Sequence, residues 1–390
     1  MNNRPGTMDQ FAHVNMDGKV SGSSLTAFAA QHDIKGRTGY SLGLEASLID
    51  SVINISIKPY NPVIAYKTWT VNDDNFISYR IPDRHLSARL DMAGDNSRVQ
   101  LFTKNTTDSI STYDDVVLKV DNFKLSDWLA INPFAPPVQG SVNADLIVSY
   151  RNNKLNSNGS ISLDELYYGG KRVGSFDLGV DISTDMRGAV NAEVALMVDS
   201  IKTITAVGCL NDTTKANPFD LDFTMIRMPL RVANPFLPAG TASLSGMLNG
   251  TMQITGDIAN PIFNGYIDFD SAAVNVDMLG TSFSFSTDKV PVDSNVVRFS
   301  DYAIKGVNSN PLLINGSVDM SSLSEPRIDL SFNARNMQIV GGKKSRKADV
   351  YGKAFIDLDA YVKGNMQFLK VDADLSIGLN VHLTRPYTVG

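Results

Sequence analysis

Between Gly246 and Asp270 the chain reads GMLNGTMQITGDIANPIFNGYIDFD, and the spacing of its apolar residues restricts the fold more than any other feature. Leu248, Met252 and Ile254 alternate with Asn249, Thr251, Gln253 and Thr255; Phe263, Ile267 and Phe269 alternate with Asn264, Tyr266 and Asp268. A period of two belongs to a strand with one oily and one wet face. The link from Gly256 to Pro261 is made of Gly, Asp, Asn and Pro, which reverse a chain. The stretch predicts a hairpin whose oily face something else must cover.

The same phrase stands 106 residues earlier, where Gly140 to Val148 (GSVNADLIV) matches Gly246 to Ile254 and Asn158 to Leu163 (NGSISL) matches Asn264 to Phe269 (NGYIDF). Asn315 to Met320 (NGSVDM) reads as a further copy of the second arm, and Asn-Pro-Phe precedes each full copy, at 132–134 and 234–236. Repetition of a unit that cannot bury its own oily face predicts neighbours stacked to share one apolar surface. The repeats run approximately over 132–233 and 234–340, and no shift in composition divides the 390 residues, so residues 1–390 read as one continuous body.

Period-two alternation recurs along nearly the whole chain, for example at Leu42 to Leu48, Leu86 to Met92, Phe176 to Ile182, Ile328 to Ala334 and Ala354 to Val362. Clusters at 72–75, 93–97, 151–158 and 169–171 supply turns. Only Ser24 to Gln31 and Ser126 to Ile131 read as short helices, the latter with Ser126 as N-cap. The fold class is therefore all-β with very little helix. Each apolar side chain left wet forfeits roughly 1.5 to 3 kcal/mol, so the oily face needs a second sheet, the same sheet rolled on itself, or a ligand with an oily tail. The inward rows are rich in Val, Leu, Ile, Ala and Met with aromatic residues only scattered, which fits alkyl chains. A stack of roughly thirty strands at ~4.8 Å spacing would extend on the order of 140 Å.

Several function classes lose their basis at this level. Hydrophobic residues make up 43% and charged residues 19%, and the net charge of -6 is dispersed, which argues against nucleic acid. The one basic run, Lys343 to Lys347, reads as a solvated hairpin tip. Cys209 is the only cysteine, which leaves no disulfide framework and reads as a small buried residue. There is no apolar run of membrane-spanning length and no secretory signal at the amino terminus, so work outside the cytoplasm would make this chain part of something longer. Gly39 to Gly43 (GYSLG) fits the nucleophile-elbow pattern, but strand-like alternation follows Ser41 where the elbow needs a helix. No metal, phosphate or dinucleotide motif occurs, and Asp177 with Asp181, Asp220 with Asp222 and Asp372 with Asp374 fall on the wet face. The reading is of a protein without catalysis, cofactor or metal.

With these residues in view, the chain resembles the TamB (DUF490) family of AsmA-like translocation and assembly module proteins of Gram-negative envelopes. The likeness lies in GMLNGTMQITGDIANPIFNGYIDF, in WTVNDDNFISY at Trp69 to Tyr79 and in NPFAPPVQG at Asn132 to Gly140; it spans roughly residues 40 to 365 and is clearest over 246–365. The resemblance implies an elongated β-sheet, rolled into a repeating groove with an aliphatic interior, and a central-to-C-terminal fragment of a periplasmic protein. It further implies an inner-membrane anchor helix absent from this chain and an outer-membrane barrel partner of the Omp85 type.

The expected function is a non-enzymatic conduit that carries phospholipid between the two membranes, with acyl chains along Leu146, Val148, Ile161, Leu163, Leu248, Met252, Ile254, Phe263, Ile267 and Phe269. On this reading a charge at Ile254 or Ile267 blocks transfer with little loss of fold, and a charge at Gln253 is silent. Two alternatives stand beside it. One is an assembly factor for outer-membrane barrels that pairs its strand edges with clients; the other is a structural β-repeat protein with a closed core.

Overall fold

The computed structural model describes residues 13–82, 84–105, 114–129, 137–151, 154–210, 219–238, 240–256, 260–322, 324–341, 352–365 and 367–379. The basic run at 343–347 and the first Asn-Pro-Phe at 132–134 lie outside the described residues. The fold is all-β, with twenty-six strands among the described residues, and the chain forms two compact units, Met1–Ile201 and Lys202–Gly390.

Each unit is antiparallel, and along most of its length sequence neighbours pair; Val52–Ile57 with Phe76–Arg80 in the first and Pro261–Val276 with Val290–Asp293 in the second pair across intervening strands. In the first, the strands Ser97–Asn105, Asp114–Lys124, Val138–Arg151, Lys154–Tyr168, Lys171–Thr184 and Val190–Val198 follow one another across the sheet. In the second the order is Phe219–Pro229, Ala242–Gly256 and Pro261–Val276. Two short strands, Thr281–Phe285 and Val290–Asp293, come next, followed by Val296–Lys305, Pro311–Asp319, Arg327–Val340, Ala354–Asn365 and Leu369–Leu379. Gly256 pairs with Pro261, which closes the predicted hairpin at the predicted turn. Asp95-Asn96 and Gly169-Gly170 also turn as read, all four residues at positive φ.

The 106-residue repeat is the same structure twice. Gly159 and Gly265 sit at φ +152° and +156°, and a Cβ on either would overlap the carbonyl oxygen of the preceding strand, Asp145 in one copy and Thr251 in the other. Only glycine lets the two backbones approach this closely. Asn143 and Asn249 are also equivalent. In each copy the strand before makes a β-bulge, after Val120 and after Met225, and the bulge residue, Asn122 or Arg227, is left-handed at φ +46° or +55°. Its N–H donates 2.7 Å to the Oδ1 of Asn143 or Asn249 directly opposite.

Further bulges repeat the device: the N–H of Glu165 donates to Ser175 Oγ, that of Asp301 to Asn315 Oδ1, and that of Asn336 to Asp357 Oδ1. Bulges bend a strand and increase its twist, so these bends recur on successive strands of each unit. Asn315 consequently stands in the place of Asn143 and Asn249, so NGSVDM corresponds to the first arm of the hairpin and not to the second. Asn249→Ala is expected to orphan the Arg227 N–H and break the Asn249 Nδ2 bond to Asp268. The expected loss is about 1 kcal/mol, read as a lower urea midpoint.

Two readings of local structure are corrected. Ser24–His32 is a strand, because it pairs along its whole length with both His13–Ser21 and Thr38–Ile49 and this outweighs the helix preference of its alanines. The second short helix exists as Leu125–Leu129, which places Ser126 inside the first turn and not at its cap. Cys209 is half-buried and faces Asp220, on the wet side of the sheet.

Candidate functional site

Antiparallel register places directly opposed residues on one face, so the pairing traces apolar rows across the strands. In the first unit one row reads Leu90, Leu101, Leu118, Leu146, Gly159, Val180 and Val194, seven strands wide. The next reads Val120, Ala144, Ile161, Leu178 and Leu196. Val148 and Leu163 continue the same face, opposite Val116 and Phe176 respectively. The other face carries charge and amide: Lys119 lies 3.5 Å from Asp145, and Asn158 donates to Asp181. Asp177 and Asp181 lie on that wet face, as the alternation requires.

The four residues of the earlier copy, Leu146, Val148, Ile161 and Leu163, are half-buried or, for Val148, 36% exposed. They join neither buried hydrophobic cluster among the described residues. On the same face, nearer the amino terminus, Val14, Met16, Val20, Leu25, Leu42 and Leu48 are exposed.

The later copy differs. Its row Phe223, Met252, Gly265, Val292, Val297, Val318 and Ile328 is continuous, but the protein's own side chains seal much of it. Val290, Val292, Val297 and Tyr302 are buried, and Met252, Phe263, Ile267 and Phe269 pack against them. Phe269 stacks on Phe285 at 5.0 Å, and Phe299 meets Tyr302 edge-on at 5.8 Å. Tyr302 Oη donates to the Ser286 carbonyl at 2.8 Å, and burial pushes its phenol up to about 12, with Asp288 and Asp268 adding to the shift. Aromatic residues are therefore concentrated here, contrary to the expectation that they would be scattered. Four of the ten candidate lining residues meet protein; Leu248 and Ile254 are half-buried outside the cluster. Ile267 is thus half-buried against a sealed cluster, so a charge there is expected to cost stability, where the sequence alone reads it as leaving the fold largely intact.

A second aromatic plug closes part of the face in the first unit. The helix Leu125–Leu129 follows the Asn122 bulge by three residues and lays Trp128 against Phe123 at 5.0 Å and edge-on to Trp69 at 6.1 Å. The 3-10 helix Leu230–Phe236 follows the Arg227 bulge at the same distance in the later copy. There the Asn of Asn-Pro-Phe has a visible role: Asn234 Oδ1 accepts from the Leu244 N–H and its Nδ2 donates to the Leu244 carbonyl, like a stub of strand.

Ser41 of GYSLG lies within the strand Thr38–Ile49, and its Oγ accepts from the Val63 N–H at 3.3 Å. Among the described residues no group of three or more His, Cys, Asp or Glu is arranged to hold a metal, and no helix is long and apolar enough to cross a membrane. No protein-family model, curated protein or solved structure matches this chain.

Proposed function

We propose that the protein is a non-enzymatic carrier of phospholipid in the envelope of a Gram-negative bacterium, as its resemblance to the TamB family implies. Acyl chains lie along the apolar rows and headgroups stay at their polar margin. The observation that supports this most is the row Leu101, Leu118, Leu146, Val180 and Val194, interrupted only by Gly159: aliphatic residues that are half-buried, in register, and in neither aromatic cluster, whereas Leu90 at the end of the row packs against the Trp69 cluster. Each methylene dried on such a surface gains about 0.8 kcal/mol. A chain that slides along it exchanges equivalent contacts, so movement along the row is cheap while escape to water is not. Docking to an outer-membrane barrel and anchoring in the inner membrane belong to the same proposal.

The expected result is that protein purified from a Gram-negative host, extracted with organic solvent, yields phospholipid by mass spectrometry at a fixed molar ratio. Lipid-free protein that also takes up no phospholipid from vesicles would sink the proposal and favour the closed structural repeat.

A further inference from the structure

The first unit holds a cavity of ≈ 360 Å³ between the strands His13–Ser21, Ser24–His32 and Thr38–Ile49, the short strand Val63–Ile64 and the helix that carries Trp128. Val14, Met16 and Leu42 form its outer rim and are 49%, 78% and 40% exposed, while Ile64 and Trp128 stand on its inner side. Met16 pairs with Ala29 and Ala29 with Leu42, so the rim belongs to the oily face of these three strands. The cavity lies where that face meets the aromatic plug.

Its walls present hydrocarbon almost throughout, and no charged side chain lines it. Tyr40 Oη is committed to the Asp127 carbonyl at 2.7 Å, and Gln31 Oε1 and Trp128 Nε1 are buried behind the walls, out of a ligand's reach. Water in a cavity needs about two to four polar partners, so a space of this kind stays dry. A headgroup, a hydroxyl or a peptide would lose its hydration there without compensation. Hydrocarbon alone gains, because it leaves water and makes dispersion contacts. A dry cavity of about 150 Å³ holds one benzene. At ≈ 360 Å³ this one has room for a run of methylenes, yet it stands near the lower end of small-molecule pockets, about 300 to 1,000 Å³, and is too small for a two-chain lipid.

We propose that the cavity receives the methyl end of one acyl chain of a phospholipid, while the rest of that chain lies along the oily face and the headgroup and second chain stay outside. Three observations together select this occupant: walls without accessible polar groups, a volume for a single chain, and a rim continuous with exposed apolar surface. Beyond the rim Val20 pairs with Leu25, Leu25 with Ala46 and Ala46 with Ile55, so a tail leaving the mouth still lies on apolar side chains. Ile64, 4% exposed and packed with Trp69, closes the inner end. A chain therefore enters tail first and stops there. The inference rests on the carrier reading and adds to it the place where a tail is held and the end that enters.

The test loads the whole, lipid-free chain from vesicles of either of two brominated phosphatidylcholines, alike except that the bromine sits on the terminal carbon of one chain or at its middle. Protein is then separated from vesicles and its bound lipid measured by mass spectrometry. Bromine quenches tryptophan on contact, and the protein's two tryptophans, Trp69 and Trp128, both stand at this corner, 6.1 Å apart. At equal bound lipid, terminal bromine is expected to lower tryptophan emission at least twofold and mid-chain bromine to leave it unchanged. In Ala29→Phe, where an exposed alanine at the cavity gives way to a phenyl that fills it, the terminal quenching should vanish while bound lipid persists. Equal quenching by both probes, or by neither, with lipid bound would overturn the tail-end assignment and leave the carrier reading standing, as would terminal quenching that survives in folded Ala29→Phe. Protein that takes up no lipid at all removes the carrier reading, and this inference with it. The comparison of the two probes on the native chain decides the matter even where the variant fails to fold.

Discussion

Ile267→Asp is expected to destabilise the second unit by on the order of 3 kcal/mol, because the new carboxylate, though half-buried like Leu146, is packed against the sealed cluster of Val290, Val292, Val297 and Tyr302. Ile267 faces Gly250 on one side and Val290 on the other, and Val290 is 1% exposed. Around them lie Val292, Phe269 and Tyr302; the first two offer no donor, and the Tyr302 hydroxyl is already given to the Ser286 carbonyl. An aspartate so placed has its pKa raised above the unfolded value of about 3.9, so the penalty is full at neutral pH. It shrinks as the pH falls through the raised native value. Guanidinium denaturation at pH 7 and at pH 5 reads both effects. A midpoint unchanged at pH 7 would mean that the aromatic cluster does not seal this face. Gln253→Lys provides the control: Gln253 is exposed on the opposite face and already bonds Asp220, which a lysine can also reach, so stability should hold within about 0.5 kcal/mol.

What the sequence revealed and what it concealed follow from the range of each signal. Alternation is local, and it gave the strands, the two faces and the hairpin at Gly256–Pro261. It failed at Ser24–His32, where Ala27, Ala29 and Ala30 satisfy a helix as readily as a strand and only pairing on both sides decides. The aromatic plug could not be read, since Phe269, Phe285 and the pair Phe299 and Tyr302 lie on three different strands and come together only once those strands have paired.

The bulges were hidden for a different reason. Asn143 and Asn249 occupy ordinary wet-face positions of an alternating strand. Their task, capping a left-handed N–H on the strand before, leaves no mark on the period. The 106-residue repeat was the available clue, because it holds both the asparagine and the glycines of the hairpin in place.

The second large effect concerns the rows that the protein leaves uncovered. Leu146→Asp is expected to lower bound phospholipid at least tenfold while leaving the denaturation midpoint within about 1 kcal/mol of the native value. The fold is spared because Leu146 is only half-buried and belongs to neither sealed cluster, so water can reach the new carboxylate. Lipid is not spared. Leu146 sits mid-row between Leu118 and Gly159, and an acyl chain crossing it would have to strip the charge of water without offering a partner. Three or four methylenes displaced at about 0.8 kcal/mol each already amount to more than tenfold in affinity.

Asn158→Lys is the matched control on the opposite face, where Asn158 is exposed and already bonds Asp181 at 2.8 Å; its lipid content should be unchanged. The reading depends on this asymmetry between two faces of the same pair of strands. If Leu146→Asp and Asn158→Lys retained equal amounts of phospholipid, the rows would be an ordinary interior surface and the carrier proposal would fail.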